Sequence, residues 1–504
     1  MVSSRLDIPR CCIRGVSMPF FAQAIYNKMK ASKKPAKVQP AHAAAAASSN
    51  LSTGLKSRHV TMLSLAGVIG AGLFIGSGHA IAAAGPAVLI SYIMAGGLVV
   101  LIMRMLGEMA VASPDTGSFS TYATRAIGPW AGFTIGWLYW WFWVLVIPWE
   151  AVAVSSILNA WFPGANASVL AVAFIGLLTI SNLYSVAKYG EFEFWFALLK
   201  VIAIIAFIAL CAIVLLGGIP GKEVNGFIAN MDAHGGFAPN GYGPVFGALL
   251  MTMFSFMGAE IVTIAAAESK NPAQQITRST NSVIWRIGIF YIASVFLVIA
   301  IVPWNDSALP VVGSYQRTLE YLQIPHAKLI IDIVVVVAVA SNLNSAIYTA
   351  SRMLFALAKR GDAPASLRKT TASGVPVMAV LASVAVGFVA TLINYFAPGQ
   401  VFEFLISTSG AVALLVYLVI AVSQLRMRRQ LLASGQTLTF KMWLYPWLTW
   451  LVIFFIVGVL IFMFTLPEHV HEVVATAVLA LLVIAAGVIV KRRAAPGHLV
   501  SQSA

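Results

Sequence analysis

The sequence predicts an all-α polytopic membrane protein with twelve transmembrane helices. Three observations carry that expectation. Of 504 residues, 60% are hydrophobic and only 10% charged, with a mean hydropathy of +0.88, a composition that water-soluble chains of this length do not show. About twelve apolar runs reach the roughly 20 residues needed to cross a hydrocarbon core. Most charges sit on their flanks, and a bilayer offers no water to unpaired backbone groups, so the spans are helices.

The first run, about 61–83, follows Lys56 and Arg58, and the second lies at about 86–107. The third, fourth and fifth, about 131–158, 167–187 and 193–217, end before Lys222. The sixth, about 243–266, runs out into Lys270 and Arg278, while Arg317 and Lys328 separate the seventh, about 284–303, from the eighth, about 327–357. Lys359, Arg360, Arg368 and Lys369 precede the ninth, about 375–395, and Arg426, Arg428 and Arg429 follow the tenth, about 402–424. The eleventh and twelfth, about 443–465 and 470–490, close on Lys491, Arg492 and Arg493. An even count puts both ends on one side. The basic residues before the first span and after the even-numbered spans mark that side as cytoplasmic; Lys222, Arg317 and Lys328 fall opposite.

Residues 1–56 differ from the rest, with the Lys, Pro, Ala and Ser bias of "KMKASKKPAKVQPAHAAAAASSN". They read as a disordered basic cytoplasmic tail. A signal peptide is the competing reading, but "CCIRGVSMPFFAQAIY" is interrupted by Arg14 and Pro19. Initiation at Met18 or Met29 would leave the extension without a role. Residues 57–493 read as the twelve-helix domain, and residues 494–504 as a short cytoplasmic tail. The net charge of +15 needs no nucleic-acid partner, since the basic residues spread over the loops of one membrane face. Cys11, Cys12 and Cys211 have neither a disulfide framework nor metal-ligand spacing, so no metal or cofactor is expected.

The stretch "GVIGAGLFIG" places Gly67, Gly70, Gly72 and Gly76 inside the first span, where each glycine costs helix stability relative to alanine. A break there frees backbone groups that only protein or a water-filled cavity can satisfy. N–H groups at the start of the second half-helix would then form an anion site suited to a carboxylate. The same glycines would also serve close helix packing. The sixth span holds a second interruption, "MTMFSFMGAEIVTIAAAESKNP", with Gly258 and the intramembrane Glu260. In transporters built from inverted repeats of five helices, the first and sixth helices correspond and bind substrate between them. Repeats at about 61–217 and 243–424 follow from position rather than from matched residues, with peripheral helices at about 443–490.

Several long motifs occur in order: "GLKSRHVTMLSLAGVIGAGLFIGSG", "AGPAVLISYIMAGGLVVLIMRMLGEMAVASPDTGSFSTYA", "YGEFEFWFALLKVIAIIAF", "FSFMGAEIVTIAAAESKNP" and "LNSAIYTASRMLFALAKRGDAP". With them the chain resembles the amino acid transporter branch of the amino acid–polyamine–organocation superfamily, from about Gly54 to the last span. The resemblance implies a proton-coupled symporter with the five-plus-five, LeuT-like inverted fold and two peripheral helices, in a bacterial cytoplasmic membrane. "IGWLYWWFWVLVIPWEA", "TNSVIWRIGIFY" and "MWLYPWLTWLVI" draw the resemblance toward import of 4-aminobutyrate or a related amino acid. The alternative is a permease for proline, aromatic or other α-amino acids. Carried over by residue, the substrate carboxylate would meet backbone at Val68, Ile69, Gly70, Ala71 and Gly72. The ammonium would meet carbonyls around Phe254, Ser255 and Met257, with Gly258 and Glu260 near, and Phe254, Phe256 and Met257 would form apolar walls and gate.

Lys200, in "FEFWFALLKVIAIIAF", lies about two turns or more inside the fifth span. Burial makes its ammonium costly, which suits a residue that hands a proton on. The resemblance sets this lysine against the first and eighth helices, where Ser341, Asn344 or Ser345 would be its partners. The competing reading lets Lys200 snorkel to the cytoplasmic interface. Glu150, in the third span, is a relay candidate or else a solvated group near the outer surface, and Glu260 is either part of the site or a packed structural carboxylate. His79, His326, His469 and His471 read as solvated, and the aromatic run Trp137 to Trp143 as packing, the lesser alternative being that one ring touches substrate. A channel would need a continuous polar pore, and an enzyme clustered nucleophiles, bases or ligands; the sequence displays neither. The expected partners are a small zwitterion, a proton and the lipid bilayer.

Overall fold

The computed structural model describes residues 57–184, 186–222, 224–396, 400–466 and 470–494. The tails expected at 1–56 and beyond residue 494 lie outside the described residues, as do Cys11, Cys12 and His469. Every regular element among the described residues is helical. Helix α1 (Ser57–Ala66) stops at Gly67, and a π-helical turn, Gly72–Gly76, leads into α2 (Ser77–Ala84). Pro86 then opens the turn into α3 (Val88–Ala112). Helix α4 (Pro129–Trp161) has proline in its first turn, where the missing N–H costs nothing. Helices α5 (Ala167–Tyr184) and α6 (Val186–Leu215) follow.

Helices α7 (Gly243–Phe256) and α8 (Ile261–Ala267) are separated by four turn residues. Helix α9 (Pro272–Arg286) runs through a π-helical stretch, Ile287–Ala293, into α10 (Ser294–Ile301). It begins well before the span expected at about 284–303, because Pro272 starts an amphipathic segment whose polar face lowers its hydropathy. Helices α11 (Ala327–Lys359), α12 (Val377–Phe396), α13 (Gln400–Ala433), α14 (Trp447–Met463) and α15 (Val470–Ala494) complete the chain. Short helices at Ser118–Ala126, Gly226–Ala233, Leu309–Val312 and Ser314–Tyr321 occupy connections.

Nine helices among the described residues are long and apolar enough to cross a bilayer, and two shorter ones, Val377–Ile393 and Trp447–Met463, share that apolar character. Burial sorts them where hydropathy does not. In the most apolar stretch of Gly243–Ala267, 83% is buried, and in that of Ala327–Lys359, 78%, against 28% for Ala167–Tyr184 and 22% for Val473–Arg492. The last of these is among the most apolar and the least covered, which is stable only where hydrocarbon replaces protein. The chain is thus a multi-pass membrane protein whose interrupted helices form its inside. Packing is most extensive between α4 and α11, and these two helices carry Glu150 and Asn342, which face the first interruption.

Candidate functional site

The two breaks touch. Gly258 adopts φ 114, a conformation that side chains disfavour, and a Cβ there would fall on the Gly67 carbonyl oxygen. A Cβ on Gly72 would lie 2.7 Å from Ser255 Oγ, and one on Gly70 would lie 2.7 Å from Glu150 Oε1. The glycines therefore do both things the sequence left open: they bring the two backbones together and they leave main chain bare beside polar side chains. The Tyr291 hydroxyl, 2.6 Å from the Val68 carbonyl and 3.0 Å from that of Ser255, has a single proton to donate between the two breaks.

Beside the breaks lies a narrow cavity. Val68, Gly70 and Gly72 line one side, and Phe254, Ser255 and Met257 another. Phe142, Trp143, Val146 and Glu150 of α4 and Asn342 of α11 close it. Of the residues expected at the site, Ile69, Ala71, Phe256, Gly258 and Glu260 stand behind this lining rather than in it. Glu260 is held by the Gly258 N–H, 3.1 Å from each carboxylate oxygen, and by the Tyr139 hydroxyl at 2.8 Å. Phe256 packs on Tyr291, with ring centroids 4.5 Å apart. The aromatic run packs on both sides of its helix: Phe142 and Trp143 line the cavity, because a helix that is apolar all round has an inner face too, and Trp137 and Trp140 line a groove against α15.

Glu150 is fully buried, which overturns the reading that placed it in solvent. Its Oε1 accepts Asn342 Nδ2 at 2.6 Å, the Ala71 N–H faces the same carboxylate, and Oε2 has no hydrogen-bond partner in the cavity wall. Lys200 is also fully buried and donates from Nζ to the Ile69 carbonyl at 2.8 Å. Snorkelling is excluded, since the ammonium points inward to the break. Its charge lies in the fields of Glu193 and Glu150. Ser341 and Asn344, expected as partners of Lys200, donate to Glu193 instead, Asn344 Nδ2 at 3.2 Å; an ammonium needs acceptors, whereas hydroxyl and amide donors satisfy a buried carboxylate.

A larger cavity opens at one end, lined by Phe74, His79, Trp149, Lys328 and Asp332. The Trp149 ring meets Phe254 of the inner cavity at 5.7 Å between centroids. His79, His326 and His471 are exposed, as expected. The opposite end is closed by the stacked rings of Tyr189 and Tyr348, 4.5 Å apart, the buried Arg352–Glu268 pair at 3.4 Å and the Arg58–Glu191 pair at 2.7 Å. Glu193, Asn342 and Tyr291 had not been read as site residues. A second acidic residue in "GEFEFW" was the one available signal for Glu193.

Comparison with known proteins agrees with this architecture. The amino acid permease family matches over residues 59–495. A probable GABA permease of Pseudomonas aeruginosa is 70% identical over 444 residues, covering 88% of this chain and 94% of the relative. The gamma-aminobutyric acid permeases of Escherichia coli and Bacillus subtilis are 62% and 47% identical, over 86% and 88% of this chain and 92% and 95% of their own lengths. Two interrupted helices crossing beside a cavity in a multi-pass helical membrane protein, together with a match over nearly all of the described residues, make this chain a member of the amino acid permease family: a transporter, not an enzyme.

Proposed function

We propose that the chain is a proton-coupled importer of 4-aminobutyrate, working by alternating access in the bacterial cytoplasmic membrane with both termini cytoplasmic. The observation that carries this reading is the meeting of two helix breaks beside a cavity, with the fully buried Lys200 bonded to the carbonyl of Ile69 within the first break. A zwitterion leaving water must have both ends replaced. N–H groups at Gly70 and Gly72, where the second half-helix begins, suit its carboxylate, and carbonyls at the end of α7 suit its ammonium. Phe142, Trp143 and Phe254 would cover the methylenes. The substrate itself is supported by the similarity to relatives named as GABA permeases.

In this reading α1–α2 and α7–α8 are the first and sixth of twelve spans, α1 to α6 form one inverted repeat and α7 to α13 the other, and α14 and α15 are peripheral. Lys200 stands for the coupling cation at the first break, and Glu150, between the cavity and Lys200, passes it the proton. Glu260 supports the second break through Gly258. The experiment that tests the substrate is uptake of labelled 4-aminobutyrate by a permease-deficient bacterium expressing this chain. Saturable uptake that excess proline, phenylalanine or tyrosine does not displace is expected. Displacement by one of these at lower concentration than 4-aminobutyrate itself would reassign the substrate.

A further inference from the structure

We propose that Glu193 is the group that receives the proton from Lys200 and releases it on the side away from the substrate cavity. The inference rests on the proton-coupled reading above and adds a residue to it. Seven positions separate Glu193 from Lys200 on α6, about two turns, which brings both to one helix face. Glu193 is fully buried, as are its hydrogen-bond partners Ser341, Asn344 and Ser345 of α11, and Lys200 and Tyr189 of its own helix, whose charge or hydroxyl lies in its field. Asn344 is itself held in orientation, its Oδ1 accepting Asn182 Nδ2 at 2.6 Å and Ser181 Oγ at 2.8 Å. The other charges nearby are Glu150 beyond Lys200, the Arg352–Glu268 pair on α11 and α8, and Arg58 and His59 of α1, which pair with Glu191.

Charge counting shows what the second carboxylate is for. Lys200 with Glu150 alone would already be neutral without cargo. With Glu193 the three groups carry one net negative charge, and a single added proton makes them neutral, which is the cheaper state to carry through a membrane interior. The step is a pair of proton transfers. An N–H bond of the Lys200 ammonium breaks as an O–H bond forms on Glu193, and the Glu150 carboxylic acid then returns a proton to the amine and becomes a carboxylate. Ser341 and Asn344 donate to Glu193 while it is charged, and the Ser341 hydroxyl can turn to accept once it is protonated. The stacked Tyr189 and Tyr348 close the end beyond Glu193 in this conformation, so release must await the opening of that end.

The test uses purified full-length protein in proteoliposomes with labelled 4-aminobutyrate. Glu193→Gln should exchange substrate across a membrane at equal pH within about twofold of wild type, yet lose at least tenfold in accumulation driven by a pH gradient. Wild-type accumulation, or loss of exchange together with accumulation in a folded variant, overturns the proposal. Should the glutamine variant not fold, Glu193→Asp and Ser341→Ala decide: each should displace the pH profile of accumulation, and wild-type profiles in both overturn it. Lys200→Met separates this proposal from the reading beneath it. If that variant still accumulates substrate fully, proton coupling through Lys200 fails; if it does not while Glu193→Gln does, only the role of Glu193 falls.

Discussion

At Gly72 the room for a side chain is already taken: an added methyl group would stand 2.7 Å from Ser255 Oγ and 3.1 Å from Ser255 Cα. Gly72→Val should therefore abolish binding of labelled 4-aminobutyrate to the purified protein, while Gly72→Ala should weaken it by about tenfold, roughly 1.4 kcal/mol. Combining Gly72→Ala with Ser255→Ala removes the nearest contact and should restore part of the affinity; no recovery would mean that Ser255 is not what limits the position. Tyr291→Phe makes a second residue-level case. It leaves the Val68 and Ser255 carbonyls without their shared donor, and a buried acceptor left unsatisfied costs about 1–3 kcal/mol. A lowered melting temperature in detergent, with exchange slowed, is expected; unchanged melting would show that water substitutes. The glycines were legible because glycine inside an apolar span is expensive. Tyr291 was not, since it stands within "GIFYIASVF" like any lipid-facing ring, and only the fold brings its hydroxyl to two carbonyls.

The elements that matter are the two broken helices and the two long helices that face them. Gly258 belongs to the break as an element, because its φ of 114 and its contact with Gly67 fix how α7 and α8 meet α1. Gly258→Ala should cost about 1–3 kcal/mol for the backbone alone, more with the collision, and should reduce the yield of folded protein; normal yield and binding would show that the breaks can separate. Several spans were readable by length and hydropathy to within a few residues, as with Ala327–Lys359 against an expected 327–357, but the seventh starts at Pro272 rather than at about 284. Which helices lie inside was not, because α15 is as apolar as any and nearly uncovered. Ser341 and Asn344 of α11 read as partners of Lys200, yet they serve Glu193, and Asn342, for which the sequence suggests no partner, serves Glu150. Pairings across helices depend on rotation and register, which residue types do not carry.

Over the whole molecule, one end is open to an outer cavity and the other is closed by Tyr189, Tyr348 and the Arg352–Glu268 pair. Breaking a buried ion pair on one side leaves an uncompensated charge and typically costs about 3–5 kcal/mol. Arg352→Ala should thus lower thermal stability markedly and favour opening of the closed end, read as faster reaction of a cysteine introduced at Ser345 with a membrane-impermeant reagent applied from that side. Unchanged labelling would assign the pair to stability alone. Such a switch between ends serves transport only if the substrate sits where both ends converge, at the two breaks. The most direct measurement is an experimental structure with 4-aminobutyrate bound. The carboxylate should lie within hydrogen-bond distance of the Gly70 and Gly72 N–H groups, with the ammonium toward the α7 carbonyls. Density for the substrate carboxylate on Lys200, or on Lys328 in the outer cavity, with the breaks unoccupied, would contradict the account.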